Sequence, residues 1–187
     1  MSKDGKKIAA GYSNGIVRIY QKNNTYTLKQ EINASTLKIE TLSGTDNFEI
    51  LVAGGAEKKI FIYKDNNNIL LLNQTINVGK NLKTLKVTAE GLMASGQGPL
   101  IWLYSSNGTQ FVFQQSIVTS EFNVLRSAIN DDFSTVVYGG SKKTLNVHKL
   151  NSNNSYDLVF AEVIGSFIHH NLIDSNGLYF PFMTLSG

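Results

Sequence analysis

Four thirteen-residue segments of this chain align without a gap: Ile8–Tyr20 (IAAGYSNGIVRIY), Leu51–Tyr63 (LVAGGAEKKIFIY), Leu92–Tyr104 (LMASGQGPLIWLY) and Val136–His148 (VVYGGSKKTLNVH). Their starts lie 43, 41 and 44 residues apart. Each runs from an apolar pair through small residues to a polar turn, then alternates apolar and other residues up to a closing aromatic ring. Self-similarity at such a period limits a chain to architectures in which one unit cannot bury its own apolar faces and neighbouring units must stack.

A second motif is read as repeating in phase with the first, in one register over four copies: an apolar residue, any residue, Gln or Glu, any residue, Ile. Its copies are read at Leu28–Ile32, Leu72–Ile76, Phe113–Ile117 and Phe160–Ile164. In each unit the first half of the thirteen-residue segment is a short strand ending near Gly. Asn14-Gly15 is a strong two-residue hairpin signal, and the alternating second half, as in Ile60-Phe61-Ile62-Tyr63, is a strand. An Asn-rich link follows, and the Gln/Glu motif supplies another strand. An apolar stretch ahead of the segment, at Leu37–Leu42, Leu82–Val87 and Val124–Ile129, completes four strands per unit of about 43 residues. The composition agrees: Gly is plentiful at 16, Pro scarce at 2, and hydrophobic residues make up 42%.

Four antiparallel strands at this period describe a propeller blade. The stretch Ser2-Lys3-Asp4-Gly5 through Val17-Arg18-Ile19-Tyr20 resembles the WD-repeat family, from its S-x-D-G turn to its closing aromatic. The resemblance covers nearly the whole chain. No Gly-His dipeptide occurs, and Gln21, Lys64, Ser105 and Lys149 stand where the family has Asp after the aromatic. The buried hydrogen-bond network that goes with that Asp is therefore expected to be missing, leaving the blades to rely on apolar packing. Gly54-Gly55 and Gly139-Gly140 resemble kelch repeats, a second choice because the kelch Trp is absent and the period is short. The expected fold is an all-β propeller of four to four and a half blades: a partial blade over 1–34, blades over 35–78, 79–120 and 121–166, and a partial blade over 167–187. Ile168–Ile173 and Leu178–Met183 are the strands of the last, and Pro181 weakens its second. The resemblance implies rings of about seven blades, so a piece of a longer propeller is expected. A small closed ring, with Ile168–Ile173 filling the first blade, is the alternative.

The chain of 187 residues has net charge +3, short of the excess typical of a dedicated nucleic-acid binder, and no Cys, which removes disulfides, thiolate metal sites and cysteine nucleophiles. No signal peptide or transmembrane segment is read, and the sequons at Asn23, Asn33, Asn73, Asn107 and Asn153 reflect the Asn-rich composition, so the expected location is cytoplasmic or nuclear. His169-His170 would point to opposite faces of a strand, ill-suited to one metal. His148 and Trp102 are read as packed rings, Asp131-Asp132 as turn residues, and Gly139–Thr144 as a turn whose spacing departs from a phosphate loop. No catalytic constellation and no cofactor site emerges. The expected function is a non-enzymatic scaffold for protein–protein interaction. The alternatives are a membrane-surface or phosphoinositide-binding propeller, whose Arg-Arg pair is missing here, and a propeller hydrolase.

Propeller topology, as the resemblance implies it, puts the turns between second and third strands on one rim with the loops entering each first strand. That rim would carry Lys38, Lys58, Lys59, Lys80, Lys83, Lys142 and Lys143, against Glu57 and Glu121. The opposite rim would carry Asp4, Asp46, Glu90, Asp131, Asp132 and Asp174. Lys38, Lys58, Lys59, Lys83, Lys142 and Lys143 are the candidate partner-binding residues, and proteins with acidic segments the expected partners.

Overall fold

The computed structural model describes residues 1–165 and the backbone of 168–173 and 179–183. Its strands are β1 (Lys7–Gly11), β2 (Ile16–Lys22), β3 (Tyr26–Asn33), β4 (Ile39–Gly44), β5 (Ile50–Gly55), β6 (Lys59–Asn66), β7 (Ile69–Asn77), β8 (Leu82–Val87), β9 (Gly91–Gly96), β10 (Leu100–Ser106), β11 (Phe111–Val118), β12 (Val124–Ile129), β13 (Thr135–Gly140), β14 (Thr144–Leu150), β15 (Tyr156–Val163), β16 (Ile168–Ile173) and β17 (Tyr179–Met183). They form three four-stranded antiparallel sheets, β4–β7, β8–β11 and β12–β15, each in chain order, flanked by a three-stranded sheet β1–β3 and a two-stranded sheet β16–β17. Among the described residues no helix is long and apolar enough to cross a membrane.

The alternating strands create the core because both faces of each inner sheet are covered. In β5 and β6, Leu51, Ala53, Phe61 and Tyr63 pack against Val17 and Ile19 of the first sheet. Their neighbours Val52, Ile60 and Ile62 point the other way, onto Leu82, Leu85, Leu92 and Tyr104 of the third. One sheet further on, Met93, Ile101 and Leu103 meet Val124, Ile129, Val136 and Tyr138. A strand with period-2 side chains thus serves two interfaces at once. Trp102 packs half-buried against the interface between the second and third sheets, and the buried His148 ring hydrogen-bonds the Tyr138 hydroxyl at 3.1 Å. Burial pushes the His148 imidazole below its usual value, so it is held neutral at neutral pH.

Gly at the end of the second strand is required by a close approach. A Cβ on Gly96 would sit 2.0 Å from the Asn81 carbonyl oxygen, and one on Gly140 2.1 Å from that of Asn123. The loop leading to the first strand crosses directly over the second strand's end, and only a hydrogen fits between them.

Several expectations are corrected. β4 begins at Ile39, two residues later than the apolar run suggests, because Leu37 remains in the loop as an exposed side chain. Ile168–Ile173 does not complete the first sheet; β16 pairs with β17 and lies beside β12 and β13. The Gln/Glu motif holds one register in three copies only. Gln30, Gln74 and Gln115 face Ile19, Ile62 and Leu103, each one residue before a bulge in the ladder. In the fourth sheet the residue facing Val147, one before the bulge, is Phe160, and Glu162 has slipped two places along.

Reliance on apolar packing alone is also corrected. An outermost strand leaves every second N–H and C=O pointing away from its partner strand. At Leu70 and Phe111 the neighbouring sheet supplies what is missing. The Gln30 amide donates to the Leu70 carbonyl (2.8 Å) while its oxygen accepts the Leu70 N–H (3.0 Å). Gln74 repeats this on Phe111 at 2.9 and 2.8 Å. Gln115 donates to the Asn154 carbonyl at 3.0 Å. Hydroxyls do similar work between first strands, with Thr41 accepting the Leu85 N–H and Ser43 the Val87 N–H.

Two turn residues act as wedges. Phe48 and Phe133 stand where the first unit has Gly5, and all three have φ between 59° and 69°. The left-handed backbone costs a side-chain-bearing residue about 1–2 kcal/mol, which burial of an aromatic ring offsets. Phe48 fills the space left by Gly44, and Phe133 that left by Gly91 of the preceding sheet.

Gln74→Ala is predicted to destabilise the chain by about 1–3 kcal/mol, since it strands two backbone groups of Phe111. The exposed Gln97→Ala serves as control. Equal urea midpoints for the two variants would show that the amide clamp does not hold the sheets together.

Candidate functional site

Hydrogen bonds between loops fix the two rims. On the first, the turn joining β5 and β6 meets the loop joining β3 and β4: Glu57 Oε2 accepts from the Ser35 hydroxyl at 2.6 Å and the Thr36 N–H at 3.1 Å, and Lys59 lies 2.8 Å from Oε1. The fourth sheet makes the same joint from the other side. Glu121, in the loop before β12, is 2% exposed and accepts from the Lys142 N–H at 2.6 Å and from the Thr144 hydroxyl. On the other rim, Lys3 pairs with Asp46 (3.1 Å), Lys7 with Asp65 (3.6 Å) and Lys86 with Asp131 (3.1 Å).

The sequence-selected lysines divide into two groups. Lys38 and Lys83 both pair with Glu40, a strand β4 carboxylate that the sequence reading of this rim did not include. Lys59 is taken by Glu57, and Lys83 is the second residue of β8, at the strand start where the sequence puts it. These three belong to ion pairs. Lys58, Lys80 and Lys142 are exposed in turns and loops, and Lys143 is exposed with electrostatic or hydrogen-bonding neighbours of its own. Lys58 and Lys143 share a further property. They occupy the turn position that Gly15 fills in the first unit, at φ 63° and 59° against 84° for the glycine.

The opposite rim carries Asp4, Asp46, Glu90, Asp131 and Asp132, while Asp174 lies outside the described residues. A notch of about 370 Å³ opens there between the turns at 44–50 and 86–90, lined by Asp46, Glu49, Lys86, Glu90 and Asp131. Asp132 accepts the Ser134 N–H at 2.8 Å, the turn role expected of it, and its carboxyl is held below the usual range by the Ser134 hydrogen bonds. Within Gly139–Thr144 the two glycines end β13, residues 141–143 form the turn and Thr144 opens β14, with no helix after it. Among the described residues no group of three or more His, Asp or Glu could hold a metal. The side chains of His169 and His170 lie outside the described residues.

Glu57 makes the rim joint sensitive to acid. The Lys59 ammonium, then the Ser35 hydroxyl and Thr36 N–H, hold its carboxyl down at about 2, against an unfolded value of about 4.3. Its contribution to stability is therefore complete above the unfolded value and lost as pH falls from there towards 2. Glu57→Gln is predicted to flatten the fall in melting temperature between about pH 5 and pH 3. Parallel curves for wild type and variant would remove this joint from the acid response.

No family model and no curated protein matches the sequence. Among solved structures, the chain is similar to the β-propeller domain of Myceliophteria thermophila Cps50 (Swd1), with a TM-score of 0.77 at 13% identity. The match covers 95% of this chain and 58% of that one, so the chain spans little more than half the length of the domain it resembles. With the sheet order and the interlocked faces described above, the fold is that of a β-propeller built from four-stranded antiparallel blades.

Proposed function

We propose that the chain is a non-enzymatic scaffold that holds other proteins against the rim formed by the turns between second and third strands, as part of a larger WD-repeat-like propeller working in the cytoplasm or nucleus. One observation carries the reading. Two blades place lysine, Lys58 and Lys143, at a turn position whose left-handed backbone suits the glycine of the first blade. A non-glycine residue there costs about 1–2 kcal/mol, and side chains held in such backbones cluster at functional sites. Lys58 gains no ion pair within the described residues in return. A charge kept at an unfavourable position on an exposed turn is suited to an external partner. The opposite rim has Asp46, Asp65 and Asp131 paired with Lys3, Lys7 and Lys86, so an approaching acidic surface is drawn to the exposed lysines of the first rim instead.

The double variant Lys58→Gly/Lys143→Gly separates binding from folding. It relieves two left-handed backbones, so stability is predicted to stay level or rise by about 1 kcal/mol, the relief being partly offset by the extra freedom of glycine in the unfolded chain. Proteins that co-purify with the wild-type chain at low salt are predicted to be lost both in the variant and at high salt. Recovery of the same proteins in the same amounts by wild type and variant would sink the rim reading.

A further inference from the structure

Phe122 is the most exposed aromatic ring among the described side chains, at 72%. The chain around it is not loose. Its predecessor Glu121 is buried and anchored to the Lys142 N–H and the Thr144 hydroxyl. Its successor Asn123 receives the Ser141 N–H on its carbonyl at 3.2 Å, donates its own N–H to the Ser141 hydroxyl at 3.0 Å, and accepts the Gly98 N–H on its side chain at 2.8 Å. Between two fixed neighbours the ring points into solvent, and Lys142 Nζ lies 5.2 Å from its centroid. A rigid loop that displays a large apolar side chain has paid its ordering entropy before any partner arrives. The corresponding loop before β4 displays Leu37, 48% exposed, beside Lys38, and the loop before β8 displays Lys80. Two of the three loops thus set an exposed apolar side chain beside a lysine, and at Phe122 that lysine stands over the ring itself.

We infer that Phe122, with Lys142 beside it, is the anchor of a docking site for an acidic segment of a partner protein that carries an apolar residue within its run of carboxylates. The inference rests on the scaffold reading above and specifies the partner's chemistry. The carboxylates answer Lys58, Lys80 and Lys142, and the apolar residue covers the Phe122 ring. Charge alone would steer such a segment without fixing its register, while a desolvated aromatic is the kind of residue that concentrates binding energy. Nucleic acid fits less well. The chain has only two arginines, and Glu40 and Glu57 take Lys38, Lys83 and Lys59, so the rim lacks the continuous cationic track that a phosphate backbone needs.

The test uses the 187-residue chain and a short fluorescein-labelled peptide of Glu, Asp and Ser with a central Leu-Phe pair, read by anisotropy. The companion probes are the same peptide with Ser-Ser at the centre and a single-stranded oligonucleotide. The expected result is salt-sensitive binding of the Leu-Phe peptide, weakened roughly tenfold by Phe122→Ala and by Lys142→Glu. Leu72→Ala, which removes an exposed side chain of the outer strand β7, should leave it unchanged. Equal binding of the Ser-Ser peptide, with no effect of Phe122→Ala, would overturn the anchor while leaving the basic-rim reading standing. Tighter binding of the oligonucleotide would overturn the assignment to a protein segment. No binding of any probe, together with unchanged partner recovery by Lys58→Gly/Lys143→Gly, would overturn both.

Discussion

Everything in this structure depends on sheets that must be covered on both faces. A blade of four short strands has no interior of its own. Its apolar side chains, alternating along each central strand, become a core only when a second sheet lies against each face. Ile60 and Phe61 are adjacent in sequence, yet they belong to different interfaces. The stack is therefore cooperative between neighbours, and damage on one face of a sheet is felt at one junction.

Stacking creates a second problem at the outer strands, whose free N–H and C=O groups invite other chains. β7 makes this acute because Ile69, Leu71 and Leu72 are exposed there. The glutamine clamp closes part of that edge with a side chain from the neighbouring sheet, so the same residues that tie one blade to the next also blunt the edge. The rim joints built on Glu57 and Glu121 extend this economy to the loops. They use buried or half-buried carboxylates to fix turns, and the fixed turns then project Lys58, Lys142 and Phe122 outward.

The four-strand unit and its period are legible in the sequence, while the register inside each unit is legible only in part. Leu82–Val87 and Val124–Ile129 are strands with those bounds, because each begins and ends on a buried apolar residue. Where apolarity and burial part company, the reading slipped. Leu37 is apolar and exposed, so the strand after it begins two residues later. In the fourth unit Phe160–Ile164 satisfies the motif, but the register fixed by the bulge after Val147 gives the clamp position to Phe160. The clamp's function was not legible at all, since Gln30 reaches a residue forty places away and no local pattern encodes that pairing. Nor could spacing show that Glu40, on a strand, would neutralise Lys38 and Lys83. The candidate lysines are legible from their turns and, for Lys38 and Lys83, from their strand starts, but only packing distinguishes Lys58, held in a glycine's conformation, from Lys59 beside it in an ion pair.

Native-state hydrogen exchange at Leu70 and Phe111 addresses the central claim, that neighbouring blades are locked through side chains reaching across their outer edges. Both amides lie on edge strands, where an N–H facing away from the sheet ordinarily exchanges freely. The account predicts that both are protected like the amides of the central strands β6 and β10, and that Gln30→Ala releases Leu70 while leaving Phe111 slow. Exchange at both positions as fast as at the turn residue Asn67 would contradict it, and would leave the blades tied by apolar contact, by the Thr41 and Ser43 hydroxyls and by the ion pairs and loop joints of the rims.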